Sequence, residues 1–471
     1  MQNTDPIWDI VDSRRAAYTG LADRVFDMPE IAYDEYRSVE EHRRQLEAEG
    51  FKVTMGVAGI PTAVMGEAGE SGPVIAILGE FDALPGLSQE AGATSHTPLP
   101  GDGMGHGCGH NLLGSAALMA AASVKEWLEA EGIEARVRYY GCPAEEGGAA
   151  KTYMVRAGLF DDVDAAITWH PAPFIGVDRP TSLANTRIDF TFTGKAAHAA
   201  ASPHLGRSAL DAVELMNVGI NYMREHMPDG CRVHYAYLDA GGIAPNVVPA
   251  KATVRQLVRA PQLPEMFDLL DRVRKIADGA ALMTGTTVEA KVFSGVSNLL
   301  GNRPLEELLQ ANLDRLGAPD FDAEDRAFAE EIRATLSAED IASTLNGVGL
   351  PTDPDMALCD FVVPLDTPSG RGGAGSTDVG DVSWAVPTAQ CWMATCAMGT
   401  AFHSWQLTAQ GKSPLAHKGM VQAAKAMAAT ARDLIREPQL LAAAKAVHEQ
   451  KLARTPYRCP LPDDVMPPVK G

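Results

Sequence analysis

No stretch of this sequence approaches the ~18 consecutive apolar residues that a membrane-spanning helix requires. The nearest, the alanine-rich residues 114–122, is closed by Lys125 and Glu126. The opening M-Q-N-T-D-P-I-W-D-I-V lacks the basic stretch followed by an apolar core that marks a secretory signal. Positive charge is scarce as well: 40 Lys and Arg stand against 61 Asp and Glu, a formal net charge of −21. Such a surface repels nucleic acid and anionic membranes, so neither is expected as a partner. A small anionic substrate stays open, because a metal ion can reverse the sign of one cleft. Cysteine is sparse, with seven residues (108, 142, 231, 359, 391, 396 and 459) in no framework spacing. An odd, scattered set fits reduced thiols in the cytoplasm rather than a disulfide scaffold. There is no internal repeat and no low-complexity segment.

What is present is an ordinary globular composition, 46% hydrophobic and 21% charged, in a chain of 471 residues, which is long enough for two or three domains. Helical spacing runs over residues 7–26 and 38–49, and short strands are expected at 53–55 and 62–65. Residues 73–79 are a continuous apolar run, the mark of a strand buried on both faces, ending at Glu80-Phe81-Asp82. A helix over 112–130, a strand over 135–143, a helix over 151–157 and a strand over 163–171 follow. This alternation predicts an α/β fold with a mostly parallel sheet and helices on both faces, where ligands gather at the carboxyl ends of the strands. Past residue 185 the pattern changes. Alternating strands at 186–193, 231–238, 252–258 and 286–293 interleave with helices at 207–226 and 264–279, the β-α-β-β-α-β order of a ferredoxin-like sandwich. Residues 185–295 are therefore expected to be a small α+β domain inserted into a larger one built from 1–184 and 296–471. Acidic helices over 301–341, a glycine-rich loop over 368–378, a strand over 389–397 and alanine-rich helices over 416–450 complete the chain, with an irregular tail from 455.

The chemistry gathers around residues 101–114, G-D-G-M-G-H-G-C-G-H-N-L-L-G. Cys108 and His110 are metal-capable side chains set among glycines that let the backbone turn tightly. Glu145-Glu146, His170 and His403 stand at or after predicted strand ends. A paired glutamate is ordinarily solvated surface and a lone histidine ordinarily core; the coincidence of all of them at strand exits is what carries weight. Cys108, His110, Glu146, His170 and His403 are too many for one tetrahedral zinc but suit two divalent ions, with the thiolate of Cys108 as the bridge. The neighbouring Glu145 is left to act as general base and then acid.

The segments G-C-G-H-N, P-A-E-E-G-G, W-H-P, G-K-A-A-H-A-A-A-S-P and the late F-H-S resemble the M20 metallopeptidase family over nearly the whole chain. The branch is that of the amino-acid amidohydrolases. A-S-P-H-L-G-R-S-A-L-D-A, M-R-E-H-M and G-S-T-D-V-G-D-V-S-W are most similar to its p-aminobenzoyl-glutamate hydrolase subgroup. The resemblance implies two Mn2+ or Zn2+ ions on the five residues named, Glu145 as catalytic base, and Asp82 as the carboxylate orienting a ligand. It implies that the inserted domain is a dimerisation lid, whose His198 reaches the neighbouring subunit's site to steady an oxyanion, and that Asn246 lies near the substrate's carboxylate or oxyanion. The expected substrate is a small amide, an aromatic acyl group on an amino acid. The lid would pair with a second copy or with a paralogous chain. Two departures stand out. Many family members carry histidine where this chain has Glu80, so Glu80 is not expected as a ligand. Ser294-Gly295-Val296-Ser297 replaces the arginine that some relatives place after the last lid strand to hold a substrate carboxylate, which leaves Arg259 and Arg371 as substitutes. Rival readings are a dipeptidase on unacylated dipeptides and a non-catalytic metal-binding protein of the same fold.

Overall fold

Val74–Glu80 contains only one polar side chain, at its end, and every residue in it is buried. Alternate side chains divide between two cores: Ile75 and Ile77 enter one, Val74, Ala76 and Leu78 the other. The strand is thus covered on both faces, and the sheet around it is the frame of the molecule. In the computed structural model, which describes residues 4–347, 349–350, 356–368 and 375–469, the strands are β1 (Lys52–Met55), β2 (Val64–Ala68), β3 (Val74–Glu80), β4 (Arg136–Cys142), β5 (Ala165–Ala172), β6 (Gly176–Val177), β7 (Ala184–Thr193), β8 (Arg232–Asp239), β9 (Lys251–Ala260), β10 (Thr287–Val296) and β11 (Thr388–Ala394). The larger sheet has the order β1-β2-β4-β3-β5-β11-β6. Its four central strands run parallel, while β1, β2 and β6 are antiparallel to their neighbours.

One face of this sheet carries the helix His110–Glu131. Its alanines 116, 117, 120, 121 and 122 are buried all round, between the strands and a second layer that includes Arg15–Phe26 and the equally alanine-rich Pro414–Arg436. Small side chains of high helix propensity allow that close stacking. The other face packs against Ala150–Arg156 and Val379–Ala385. The smaller sheet has the order β10-β7-β9-β8, antiparallel throughout, with the helices Ala209–Met223 and Leu263–Thr284 on one side.

Three local features differ from the sequence reading. The helical stretch over 7–26 is two helices, Pro6–Ser13 and Arg15–Phe26, broken at Arg14, because the apolar period continues across a break that leaves its phase unchanged. The two-residue β6 is too short to show a period. Val379–Ala385 is helical directly after the glycine-rich loop. No helix among the described residues is long and apolar enough to cross a membrane, and all seven cysteines are free.

Candidate metal centre

Cys108 and His110 are joined by Gly109, whose φ of 78° is left-handed and which forms the start of the His110–Glu131 helix. A Cβ there would also lie 3.0 Å from the Pro171 ring, so both conformation and space select glycine. The turn places the Cys108 Sγ 3.4 Å from His170 Nε2 on β5. His403 arrives from the far end of the chain. Its backbone N–H donates to the Gly107 carbonyl at 2.9 Å, its φ is 58°, and its Nε2 is 3.2 Å from Glu146 Oε1. Left-handed backbone at a non-glycine residue costs energy and gathers where surrounding structure imposes it. Ala144 and Ala149, on either side of the two glutamates, share it.

The donor atoms fall into two groups with a common member: Cys108, His110 and His170 in one, Cys108, Glu146 and His403 in the other, the atoms of each within 4.8 Å of one another. Two buried atoms in this space, His110 Nε2 and Glu146 Oε1, make no hydrogen bond. Orphaned lone pairs converging with a thiol and further imidazoles are what a pair of divalent cations would satisfy, so the residues fit such a centre. Asp82 ties the groups together. One oxygen is 2.9 Å from His110 Nδ1 and the other accepts the Glu146 backbone N–H at 2.9 Å.

The two adjacent glutamates lie in opposite electrostatic settings. Burial pushes Glu145 well above the usual carboxylate range, and Glu80 and Glu146 add to the effect. For Glu146 burial is outweighed by the hydrogen bond to His403 and the charge of His110, which hold it at about 2. Burial and the neighbouring His110 bring His170 down to about 4, so it is a neutral imidazole at neutral pH.

Behind this site lies a buried ion cluster that the sequence does not single out. Lys151 Nζ, fully buried, is 2.7 Å from Glu80 Oε1 and 2.7 Å from Asp378 Oδ1, and Asp378 also accepts the Lys151 backbone N–H. The second oxygen of Glu80 is 3.3 Å from His110 Nε2, and Glu80 forms a third donor group with His110 and Glu145. Glu35, also buried, accepts from the Ala144 backbone N–H at 2.9 Å and so braces the glutamate loop. The only sequence signal for these residues is a charge beside otherwise apolar neighbours, which surface charges share.

The remaining predicted residues lie elsewhere. His198 and Asn246 are exposed on the unit formed by β7 to β10, where the Ala199 N–H donates to the Asn246 carbonyl. Among the described residues, no hydrogen bond, ion pair or ring contact links either side chain to the Cys108 cluster. Arg259, on β9, is half-buried with Nη1 3.4 Å from Ser376 Oγ. Arg371 lies outside the described residues. An aromatic wall flanks the site instead: Trp392 and Phe402 lie 5.1 and 5.5 Å from the His170 ring.

Two groups of such donors at the carboxyl ends of parallel strands, with a carboxylate to spare, are the requirement for two-metal hydrolysis. The chain belongs to peptidase family M20/M25/M40, whose profile matches residues 76–449. It is 47% identical to one of the two kinds of polypeptide that make up the p-aminobenzoyl-glutamate hydrolase of Escherichia coli (strain K12), over 98% of either chain. It is 30% identical to the Xaa-Arg dipeptidase of Mus musculus, over 92% of this chain and 88% of the relative. Among solved structures, a dinuclear metal-binding peptidase of the M20 family from Bacillus subtilis superposes with a TM-score of 0.57 at 19% identity, covering 88% of this chain and 98% of that one.

Proposed function

We propose that this chain is a metal-dependent amidohydrolase that splits the amide between an aromatic acyl group and an amino acid, with aminobenzoyl-glutamate as the model substrate. The observation that carries this reading is the pair of donor groups sharing Cys108, with Glu145 beside them. Cys108, His110, Glu146, His170 and His403 would hold two divalent ions, manganese or zinc. When bound, such ions polarise a carbonyl and lower the pKa of a shared water toward neutrality.

The chain's own residues do the rest. Glu145 takes the proton of the attacking water and hands it to the leaving amine. Asp82 fixes the His110 ring and the Glu146 backbone. His198 of a second copy and Asn246 donate to the oxyanion, and Arg259 and Arg371 lie on the substrate's amino-acid side. The aromatic character of the acyl group is supported by Trp392 and Phe402 beside His170, and by the name of the E. coli relative.

Residues 185–295 serve as the lid, inserted between 1–184 and 296–471, and as the surface for a second copy. β8 is an exposed edge strand bearing Tyr235, Tyr237 and Leu238, close in sequence to the fully exposed Ile243. Because the E. coli relative is named as one of two different polypeptides of its enzyme, a paralogous chain is the other partner to test. Light scattering from a pure preparation showing only monomer would remove self-association. Seven free thiols, six of them buried, support a cytoplasmic setting.

The test is an amide panel with the manganese- or zinc-loaded protein. Hydrolysis of aminobenzoyl- and benzoyl-glutamate, with unacylated dipeptides left intact, is the expected result. Turnover confined to dipeptides would replace this reading with a dipeptidase, and no turnover of either would leave a metal-binding protein.

A further inference from the structure

The smaller sheet carries its helices on one side only, so the residues of β7 and β9 that alternate away from them form an open face. Strand register sets Asn185 opposite Arg259 and Arg187 opposite Leu257. Arg187 and Arg259 are therefore diagonal neighbours on that face. Asp189, the acid on the same side of β7, is already engaged. Arg255 grips both of its oxygens, at 2.6 and 2.9 Å, and lies over the Phe293 ring.

Arg187 has no equivalent. Its half-buried guanidinium is held by one contact, Nη1 to the Gly147 carbonyl at 3.4 Å, and among the described residues it forms no ion pair. Gly147 follows Glu145 and Glu146 directly, so this cation stands at the lip of the candidate metal centre. Burial, with the like charges of Arg259 and Arg255, lowers it below the ordinary guanidinium value while Glu145 acts in the opposite sense. A guanidinium stays charged under such shifts. A partly desolvated cation with a cationic neighbour and no carboxylate is costly unless an anion arrives to complete it.

We propose that Arg187 is the seat of the substrate's α-carboxylate, the group that every N-acyl amino acid carries one carbon from the scissile nitrogen. The assignment rests on the amidohydrolase reading above and adds to it the residue that distinguishes an acyl amino acid from a neutral amide. The planar fork of an arginine matches a carboxylate with two parallel hydrogen bonds. The Gly147 carbonyl orients the fork from behind.

The experiment compares kcat/KM for N-benzoyl-L-glutamate with that for N-benzoyl-L-isoglutamine, whose α-carboxylate is an amide, in the metal-loaded protein and in Arg187→Met and Arg187→Lys. A charge-assisted pair of this kind is worth roughly 10- to 100-fold. The wild type is expected to favour the carboxylate by about that factor, chiefly through KM. In Arg187→Met the preference collapses, and Arg187→Lys restores part of it. A preference unchanged in Arg187→Met, or equal losses on both substrates, overturns the proposal. Should the wild type hydrolyse neither, calorimetric binding of N-benzoyl-L-glutamate decides. Weaker binding to Arg187→Met keeps the seat while the amidohydrolase reading falls, and equal binding overturns the seat itself.

Discussion

Glu145 and Glu146 are adjacent in the chain and identical in chemistry, yet their surroundings set them apart. Glu146 faces His403 and His110 and is held ionised, whereas Glu145 is raised by burial and by two neighbouring carboxylates. Two titratable groups whose environments separate them in this way divide the roles of ligand and proton carrier. Glu145→Gln is accordingly expected to bind its metals as the wild type does while kcat falls by about 10²–10⁴. Near-normal turnover with full metal content would exclude Glu145 from proton transfer. The donor residues were legible in the sequence because cation chemistry draws on few residue types, and each stood at a predicted strand end. Lys151, Asp378 and Arg187 were not. A buried ion pair joins segments hundreds of residues apart and leaves no periodic trace, and an arginine on an alternating strand reads as ordinary solvent-facing charge.

Among the elements, the parallel core was legible because β3 and β5 are continuous apolar runs, and the smaller sheet because its strands alternate. What stayed hidden were β6, with two residues, and the break at Arg14, where the apolar phase carries through. The turn at Gly109 is the element-level device on which the site depends, since it aims a thiol and an imidazole from successive turns of backbone into one space. Gly109→Ala would place a side chain in left-handed backbone, at a cost of roughly 1–2 kcal/mol, and bring its Cβ to 3.0 Å from the Pro171 ring. The expected outcome is a lower urea midpoint together with weaker metal retention in dialysis. A variant matching the wild type in both would mean that the turn does not set the donor geometry.

Across the whole molecule, burial governs the response to acid. His42, beneath the larger sheet, and His106 in the glycine-rich loop are both held near 3, chiefly by burial. In the unfolded chain they take up protons near 6.5. The stability they confer is complete above pH 6.5 and declines as pH falls toward 3, by roughly 1.4 kcal/mol per pH unit for each ring. His42 Nδ1 lies 2.8 Å from the Tyr139 hydroxyl, a contact that glutamine can replace in part. Urea midpoints measured from pH 7 to pH 4 should therefore fall less steeply in His42→Gln than in the wild type, by about one proton. Parallel slopes would show that His42 titrates as it does in water.

The most direct measurement is an anomalous-difference map from crystals of the full chain grown with excess manganese. The account predicts two peaks about 3.5–4 Å apart on either side of the Cys108 sulfur, one against His110 and His170, the other against Glu146 and His403. A single peak, or a pair of peaks away from that sulfur, would contradict it.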